Sequence, residues 1–137
     1  METMQPTSAD HSAIQRPGMV NALGIMTLVN GILNILAGLG VTTVVVLSTL
    51  GIGLLCSPFT LAPAVLGVFE IMYAAKILAN PPQPVKFSQT IAILEIVCIV
   101  FGLGVSLVVG ILALVFYSDQ TVKGYFSSIN PAAPVQA

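Results

Sequence analysis

The sequence predicts an all-α integral membrane protein: a bundle of three transmembrane helices, two of them long, with a short interfacial helix at the C-terminal end. The first reason is composition, because 56% of the 137 residues are hydrophobic and only 7% are charged, whereas soluble domains carry about 25% charged residues. The second is the mean hydropathy of +1.01. The third is that apolar runs of roughly 20 residues or more, enough to cross a bilayer, fill most of the chain. We therefore expect a multi-pass protein of the cell membrane, with the lipid bilayer as a partner.

The chain divides into a polar N-terminal tail (1–17), a transmembrane helical domain (18–117) and an interfacial segment with its tail (118–137). The N-terminal tail contains Glu2, Asp10 and a single basic residue, Arg16, and it has no apolar core. It therefore lacks the pattern of a cleavable signal peptide. We expect a disordered tail, with Pro17 in the first turn of the helix that follows.

The first apolar block runs from Gly18 for about 40 residues, twice what one crossing needs. Two interpretations fit it. In one, residues 38–40 form a turn between two short helices, Met19–Ala37 and Val41–Cys56. In the other, one long tilted helix runs from Met19 to about Leu47, and Ser48–Phe59 forms a loop.

The stretch Phe59–Tyr117 is expected to form two apolar helices folded back on each other across the proline-rich connection Asn80–Lys86. The last block, Ser88–Tyr117, has about 30 residues and no proline, and we expect one long helix there. Small residues recur in it at every fourth position and predict a face along which another helix packs closely. These residues are Cys98, Gly102, Ser106 and Gly110.

The basic residues favour three crossings. With three, Arg16, Lys76 and Lys86 share one side of the membrane and only Lys123 lies opposite. With four, the Lys86 loop moves away from Arg16 and the asymmetry nearly vanishes. Basic residues concentrate on the cytoplasmic side of membrane proteins, so three crossings are expected and four are the alternative.

After the last span, Ser118 and Asp119 are candidates for a helix N-cap. The apolar residues that follow recur at helical spacing and predict a short amphipathic helix in the membrane interface. They are Val122, Tyr125, Phe126 and Ile129. Asn130 and Pro131 are expected to end this helix.

Two glutamates, Glu70 and Glu95, stand inside otherwise apolar runs. Counted from the proline-rich connection, both lie roughly 12–14 Å below the same surface, so a helical hairpin places them in one layer. A charged side chain is costly in the bilayer centre, and we expect both acids to be neutral unless they are paired. Three interpretations remain: hydrogen bonds between helices, a proton or cation pathway, or recognition of a partner subunit. The polar residues expected to face the acids are Thr27, Asn30, Asn34 and Tyr73.

One pattern occurs three times, at Leu23–Gly31, Leu66–Ala74 and Ile91–Cys98. Its second position is small, its fifth is polar, and most others are bulky and apolar. The fifth positions are Thr27, Glu70 and Glu95. The repeat predicts that these three side chains are equivalent and occupy one depth.

The first copy, with its Leu23, Gly24, Asn30 and Gly31, resembles the first span of the membrane-spanning four-domain family, the B-lymphocyte-antigen type, and Ile71–Tyr73 resembles the second span. The chain is also similar to small bacterial polytopic membrane proteins. The resemblance implies a helical membrane protein that self-associates, with links to receptor assembly and cation flux.

The sequence offers little for an enzyme. Its one histidine, His11, lies in the N-terminal tail, and Cys56 and Cys98 lie far apart in apolar segments as expected of small hydrophobic residues. We expect no catalytic site, no metal, no cofactor and no nucleic-acid partner. The first functional hypothesis is a non-enzymatic structural or assembly subunit that forms a homo-oligomer or packs into a larger membrane complex. The alternative is a proton or cation channel that uses Glu70 and Glu95.

Overall fold

A computed structural model describes residues 15–86, 88–98 and 104–130, and these residues are almost entirely helical. Two elements connect the first long helix to the second: a 3₁₀ helix, η1, and a four-residue helix, α2. In chain order the elements are α1 (Gly18–Ser48), η1 (Ile52–Cys56), α2 (Ser57–Thr60), α3 (Ala62–Leu78), α4 (Gln89–Val97), α5 (Gly104–Ser118) and α6 (Gln120–Ile129). Residues 1–14, most of the tail that is expected to be disordered, and residues 131–137 at the C-terminal end lie outside the described residues.

Two segments are long and apolar enough to cross a membrane, Gly18–Ser48 and Ile52–Leu78. The first is one unbroken helix of 31 residues, about 46 Å long. The long helix of the second interpretation is therefore confirmed, and the turn at residues 38–40 is wrong. The loop expected at Ser48–Phe59 is also wrong for most of its length, because η1 and α2 occupy it. Gly38 serves a different purpose, because a Cβ there would lie 2.7 Å from the backbone nitrogen of Ala64. It is small so that α1 and α3 can touch.

The long helices α1 and α3 are antiparallel and in close contact. Gly24 of α1 packs on Ile77, and Gly31 packs on Gly67 and on the Cβ of Glu70. Small residues at helix interfaces let backbones approach, which allows the van der Waals packing that holds membrane helices together. The face of α1 that meets α3 is buried, whereas its opposite face exposes large apolar side chains, as a lipid-facing helix does.

The last apolar block does not form the single long helix that the sequence predicts. A Cβ on Gly110 of α5 would lie 2.7 Å from the carbonyl oxygen of Ala92 and 3.0 Å from the Cβ of Glu95 in α4. In one continuous helix, residues 95 and 110 would be about 22 Å apart. The helices α4 and α5 therefore run antiparallel as a hairpin, and the small residues pack within that hairpin and against α1. Gly102, the second member of the predicted packing face, lies outside the described residues.

The hairpin brings both of its ends to one end of the molecule. The Tyr73 hydroxyl of α3 contacts the Tyr117 hydroxyl at the end of α5 and accepts a hydrogen bond from the Ser88 backbone N–H at the start of α4. At the same end, Arg16 donates a hydrogen bond to the carbonyl oxygen of Ala79. This is the carbonyl at the C-terminal cap of α3, where a cation is favoured by the helix dipole.

The placement of Lys123 differs from the prediction. It lines one cavity together with Lys86, so both lysines are on the same side. The physical reason is the hairpin: α5 returns to the end where α4 began and carries the C-terminal segment with it. We call this end the basic end, defined by Arg16, Lys76, Lys86 and Lys123. The opposite end, residues 49–61, has no charged residue, and we call it the uncharged end.

The helix α6 covers the basic end of the bundle. Asp119 is its N-cap and accepts hydrogen bonds from the backbone N–H groups of Thr121 and Val122, at 2.7 and 3.3 Å. Ser118 is instead the last residue of α5 and bonds back to the Leu114 carbonyl. The chain bends by 79° between α5 and α6. The apolar face of α6 is buried against α1 and the ends of α3 and α5, through Val122, Tyr125, Phe126 and Ile129.

Candidate functional site

The centre of the bundle holds a hydrogen-bonded group of polar side chains around Glu70. The side-chain amide of Asn34 donates to both carboxyl oxygens of Glu70, at 2.9 and 3.1 Å. The amide of Asn30 donates to Oε2 of Glu70 at 3.1 Å. Glu70 is completely buried, with 0% exposure. A buried carboxyl group is costly unless hydrogen bonds replace its water, and the two asparagines of α1 supply these bonds.

Ser106 of α5 closes the group from the third side. Its Oγ lies 3.1 Å from Oδ1 of Asn30 and 2.8 Å from Oδ1 of Asn34, with one hydroxyl proton to share between them. Because the amide oxygens face Ser106, the amide nitrogens face Glu70, and the asparagine orientations are thereby fixed. Three elements, α1, α3 and α5, are joined through four side chains in what would otherwise be an apolar interior.

Glycines set the distances in this group. Gly31 lies between Asn30 and Asn34 on the buried face of α1, and a Cβ there would lie 2.8 Å from the carbonyl oxygen of Gly67. Asparagine has a short side chain, so it reaches a carboxyl group on the next helix only where the backbones nearly touch. The pair of glycines, Gly31 and Gly67, provides that approach one turn from Glu70.

Glu95 lies beside this group but has a different environment. It is 1% exposed, and its Oε2 is buried without a hydrogen-bond partner in the part of the chain that the structure describes. It lies within electrostatic range of Glu70 and of Cys98. One buried acid is therefore surrounded by donors, whereas the other has an oxygen with none.

The two acids occupy the same layer of the bundle. Glu70 packs on Gly31 of α1, and Glu95 packs on Gly110 of α5. Ser106, one turn from Gly110, bonds to the asparagines on both sides of Gly31. The depth relation expected from counting residues to the proline-rich connection is thus present, although α4 and α5 are a hairpin rather than one helix.

A pair of tyrosine hydroxyls lies between the acids and the basic end. Tyr73 Oη and Tyr117 Oη are 3.0 Å apart, and both side chains are buried. The Ser88 N–H donates to Tyr73 at 3.1 Å, and Glu95 lies seven residues deeper in α4, about 10 Å. Toward the uncharged end, Thr42 and Thr60 form a second hydroxyl pair, with 2.7 Å between their oxygens.

The other predicted site residues occupy different places. Thr27 is buried on the same face of α1 as the asparagines but has no side-chain hydrogen bond to Glu70. Cys98 is buried at the end of α4, and Cys56 is exposed at the uncharged end. Sequence reasoning assigned Ser106 to helix packing alone and did not include Tyr117, because the partners of both are 44 to 76 residues away.

No protein-family model, curated protein or solved structure matches this chain. The resemblance to the membrane-spanning four-domain family stays a prediction.

The arrangement suits the binding of a proton better than that of a metal ion. Hard cations such as Ca²⁺ need six or more oxygen ligands, and the amide oxygens of both asparagines already accept from Ser106. Among the described residues, no three His, Cys, Asp or Glu side chains come together. A proton needs only one carboxyl oxygen, and two nearby buried carboxyl groups share protons as a pair.

Proposed function

We propose that this protein is a multi-pass membrane protein in which the buried pair Glu70 and Glu95 takes up and releases a proton inside the bilayer. The observation that carries the proposal is the unpartnered, buried Oε2 of Glu95 within electrostatic range of Glu70. Ionisable residues inside a membrane mark proton or ion pathways more often than not.

The proposed topology has two complete crossings and one re-entrant hairpin. The complete crossings are Gly18–Ser48 and Ile52–Leu78, and the hairpin consists of α4 and α5. Ser106 of α5 lies beside Asn34, whereas α1 continues for 14 more residues, about 21 Å. In this topology the hairpin enters from the basic end, and Ser106, near the start of α5, lies far from the uncharged end of α1. All four basic residues of the chain lie at the basic end. The positive-inside rule therefore favours the cytoplasmic side of the membrane for this end.

The hydrogen bonds around the two acids give each a role. Glu70 accepts bonds from two amide groups, so an ionised Glu70 is solvated by protein donors. An ionised Glu95 would leave Oε2 as an uncompensated charge, so the proton resides on Glu95. Transfer between them is proposed because Glu95 lies within electrostatic range of Glu70.

Access to the acids from the cytoplasm is proposed through the tyrosine pair. The hydroxyl groups of Tyr73 and Tyr117 can donate and accept hydrogen bonds. They lie between the acids and the basic end. Toward the uncharged end, the half-buried Thr42–Thr60 pair joins α1 to α2 and supplies two further hydroxyl groups. Irregular and polar elements at membrane depth are tolerated where they line a protein-enclosed path.

The test is proton movement across liposomes that contain the purified protein. Vesicles with a pH-sensitive dye inside are given an outward or inward pH step, and the rate of equilibration is recorded. We expect wild type to equilibrate faster than empty liposomes, Glu95→Gln to fall to the empty-liposome rate, and Glu70→Gln to slow it. Lys76→Gln, an exposed lysine at the basic end, should equal wild type. A wild-type rate equal to that of empty liposomes, or a Glu95→Gln rate equal to wild type, contradicts the proposal.

Assembly with other chains is the second candidate function, and the uncharged end favours it. At the uncharged end, α1, η1 and the turn between them expose several large apolar side chains, among them Leu47, Leu50 and Leu55, and α2 exposes Phe59. Leu50 is 94% exposed. We propose that these exposed apolar side chains pack against a second copy or another subunit.

The native Cys56 provides the test of assembly, since it is exposed at this end. Oxidation of native membranes should give a dimer linked through Cys56, and Cys56→Ser should remain monomeric on the same gel. Cys98→Ser is the matched control and should still cross-link, because Cys98 is buried. No dimer from wild type at any protein density would count against self-assembly. If the double variant Glu70→Gln with Glu95→Gln gives the same yield of dimer as wild type, assembly does not depend on proton transfer.

A further inference from the structure

A cavity at the basic end lies outside the acid group and takes no part in the proposed proton transfer. Its volume is about 270 Å³, and it is lined by Lys86, Lys123, Phe126, Ser127 and Asn130. This is slightly below the roughly 300–1,000 Å³ of drug-sized ligand pockets. The space therefore suits a small headgroup rather than a nucleotide or a peptide.

The two lysines come from separate parts of the chain. Lys86 stands in the connection before α4, and Lys123 stands on α6. The side-chain amide of Asn130 holds these parts together, because it donates to the carbonyl oxygen of Val85 at 2.7 Å and to that of Phe126 at 2.8 Å. These hydrogen bonds hold the two segments that carry the lysines next to each other beside the cavity.

Neither lysine is paired with a carboxylate among the described residues; Asp119, one turn before Lys123 on the same side, interacts with it only at longer range. The wall of the cavity is mostly apolar, so the two lysines contribute their aliphatic stems to it. Their positive charges next to the cavity favour a negative group at its edge.

The position of the cavity identifies the source of that group. The helix α6 is amphipathic, with its apolar face on the bundle and its polar face outward, as helices that lie in the membrane interface are. Phe126 forms the apolar wall of the cavity beside the two lysines. An anionic phospholipid presents a phosphate next to apolar acyl chains, which matches a mostly apolar cavity with two lysines beside it. Basic pockets at the cytoplasmic end of transmembrane helices bind anionic lipids for this reason.

We propose that the cavity between Lys86 and Lys123 binds the phosphate of one anionic phospholipid and thereby fixes α6 at the membrane surface. Phosphatidylglycerol is the probe, since it carries a single phosphate and no compensating amine. Phosphatidylcholine, with the same phosphate and a cationic choline, is the matched lipid.

The experiment counts bound lipid on the full chain by native mass spectrometry from detergent micelles, with each lipid titrated separately. Wild type should retain one phosphatidylglycerol and release phosphatidylcholine at the same concentration. The double variant Lys86→Gln with Lys123→Gln should bind phosphatidylglycerol roughly 30-fold more weakly, about five-fold for each lysine. Lys76→Gln, which removes a lysine at the same end but outside the cavity, should bind like wild type.

Three outcomes overturn the proposal. One is equal retention of both lipids by wild type. Another is a loss in Lys76→Gln as large as that in the double variant, which would indicate a general surface effect. The third is displacement of the lipid by millimolar inorganic phosphate, which would assign the site to a soluble phosphate. Both lysines are exposed, so the double variant should fold, and its thermal unfolding in detergent without added lipid should match wild type.

Discussion

The amide nitrogen of Asn34 donates to both carboxyl oxygens of Glu70, at 2.9 and 3.1 Å, in the buried centre of the bundle. This contact joins α1 to α3 at the point where their backbones are closest, and Ser106 attaches α5 to the same asparagine. The polar group therefore both joins the three helices and holds Glu70 in place.

Replacement of Asn34 by leucine should destabilise the protein. It removes the donor to both oxygens of Glu70 and leaves a buried acceptor with fewer bonds, a loss of roughly 1–3 kcal/mol. The measurement is unfolding of purified protein in mixed micelles by denaturant. Thr43→Val is the matched control, because the Thr43 hydroxyl bonds only to the Leu39 carbonyl within α1, and it should unfold like wild type. In a protein that already carries Glu70→Leu, Asn34→Leu should lower the free energy of unfolding by less than it does in wild type. Equal losses in the two backgrounds would contradict the contact.

Replacement of Gly67 by alanine should separate α1 from α3. The new Cβ would press on the carbonyl oxygen of Gly31 and on Ile35, and overpacking of this kind costs roughly 1–3 kcal/mol. Gly40→Ala is the matched control, because nothing lies within 4 Å of a Cβ at Gly40. Thermal unfolding should show a lower midpoint for Gly67→Ala and an unchanged or slightly higher one for Gly40→Ala. Equal midpoints for the two variants would contradict the close contact.

The α4–α5 hairpin predicts a short distance between residues far apart in sequence. Spin labels at Thr90→Cys and Val115→Cys, with Cys56 and Cys98 replaced, lie at exposed positions near the two ends of the hairpin. Packed helices are 8–10 Å apart, so the labels should be less than about 20 Å apart by pulsed electron paramagnetic resonance. One continuous helix would separate them by about 38 Å, and a distance in that range would contradict the hairpin.

Asp119 should make the docking of α6 dependent on pH. Hydrogen bonds from the Thr121 and then the Val122 backbone N–H groups hold the pKa of this carboxyl below its usual value. A lowered pKa in the folded state means that the stabilisation is present above the unfolded value near 4 and disappears as the pH falls through the folded pKa. Hydrogen exchange of α6 amides should therefore accelerate as the pH is lowered from about 5 toward 3, relative to the intrinsic rate. Asp119→Asn keeps the cap without the charge and should abolish this dependence; an equal dependence in that variant would assign it to another group.

Several features of the fold follow directly from the sequence. The apolar length of α1, the amphipathic spacing of α6 and its cap at Asp119 are local signals, and local physics determines them. Helical spacing puts Asn30 and Asn34 on one face of α1. A polar side chain in the membrane is favourable only where it points toward other helices, so this face and Glu70 are expected to point inward.

The hairpin could not be predicted in the same way. A run of about 30 apolar residues without proline has the same local signature whether it continues or reverses, and the reversal is determined by contacts of Gly110 with Ala92 and Glu95. Lys123 follows that run, so the end of the molecule at which it lies also depends on whether the run continues or reverses. The role of Ser106 was missed for a related reason, because its partners on α1 lie 72 and 76 residues away.

The sidedness of four cysteines distinguishes the proposed hairpin from a third crossing. Gln15→Cys, Gln83→Cys and Gly124→Cys, each in a background without Cys56 and Cys98, are compared with the native Cys56 by labelling with a membrane-impermeant maleimide in sealed vesicles of both orientations. We expect residues 15, 83 and 124 to react from one side of the membrane and Cys56 from the other. Reaction of residue 124 from the side of Cys56 would mean that the chain crosses after Glu95, and the hairpin that places Glu95 beside Glu70 would be contradicted.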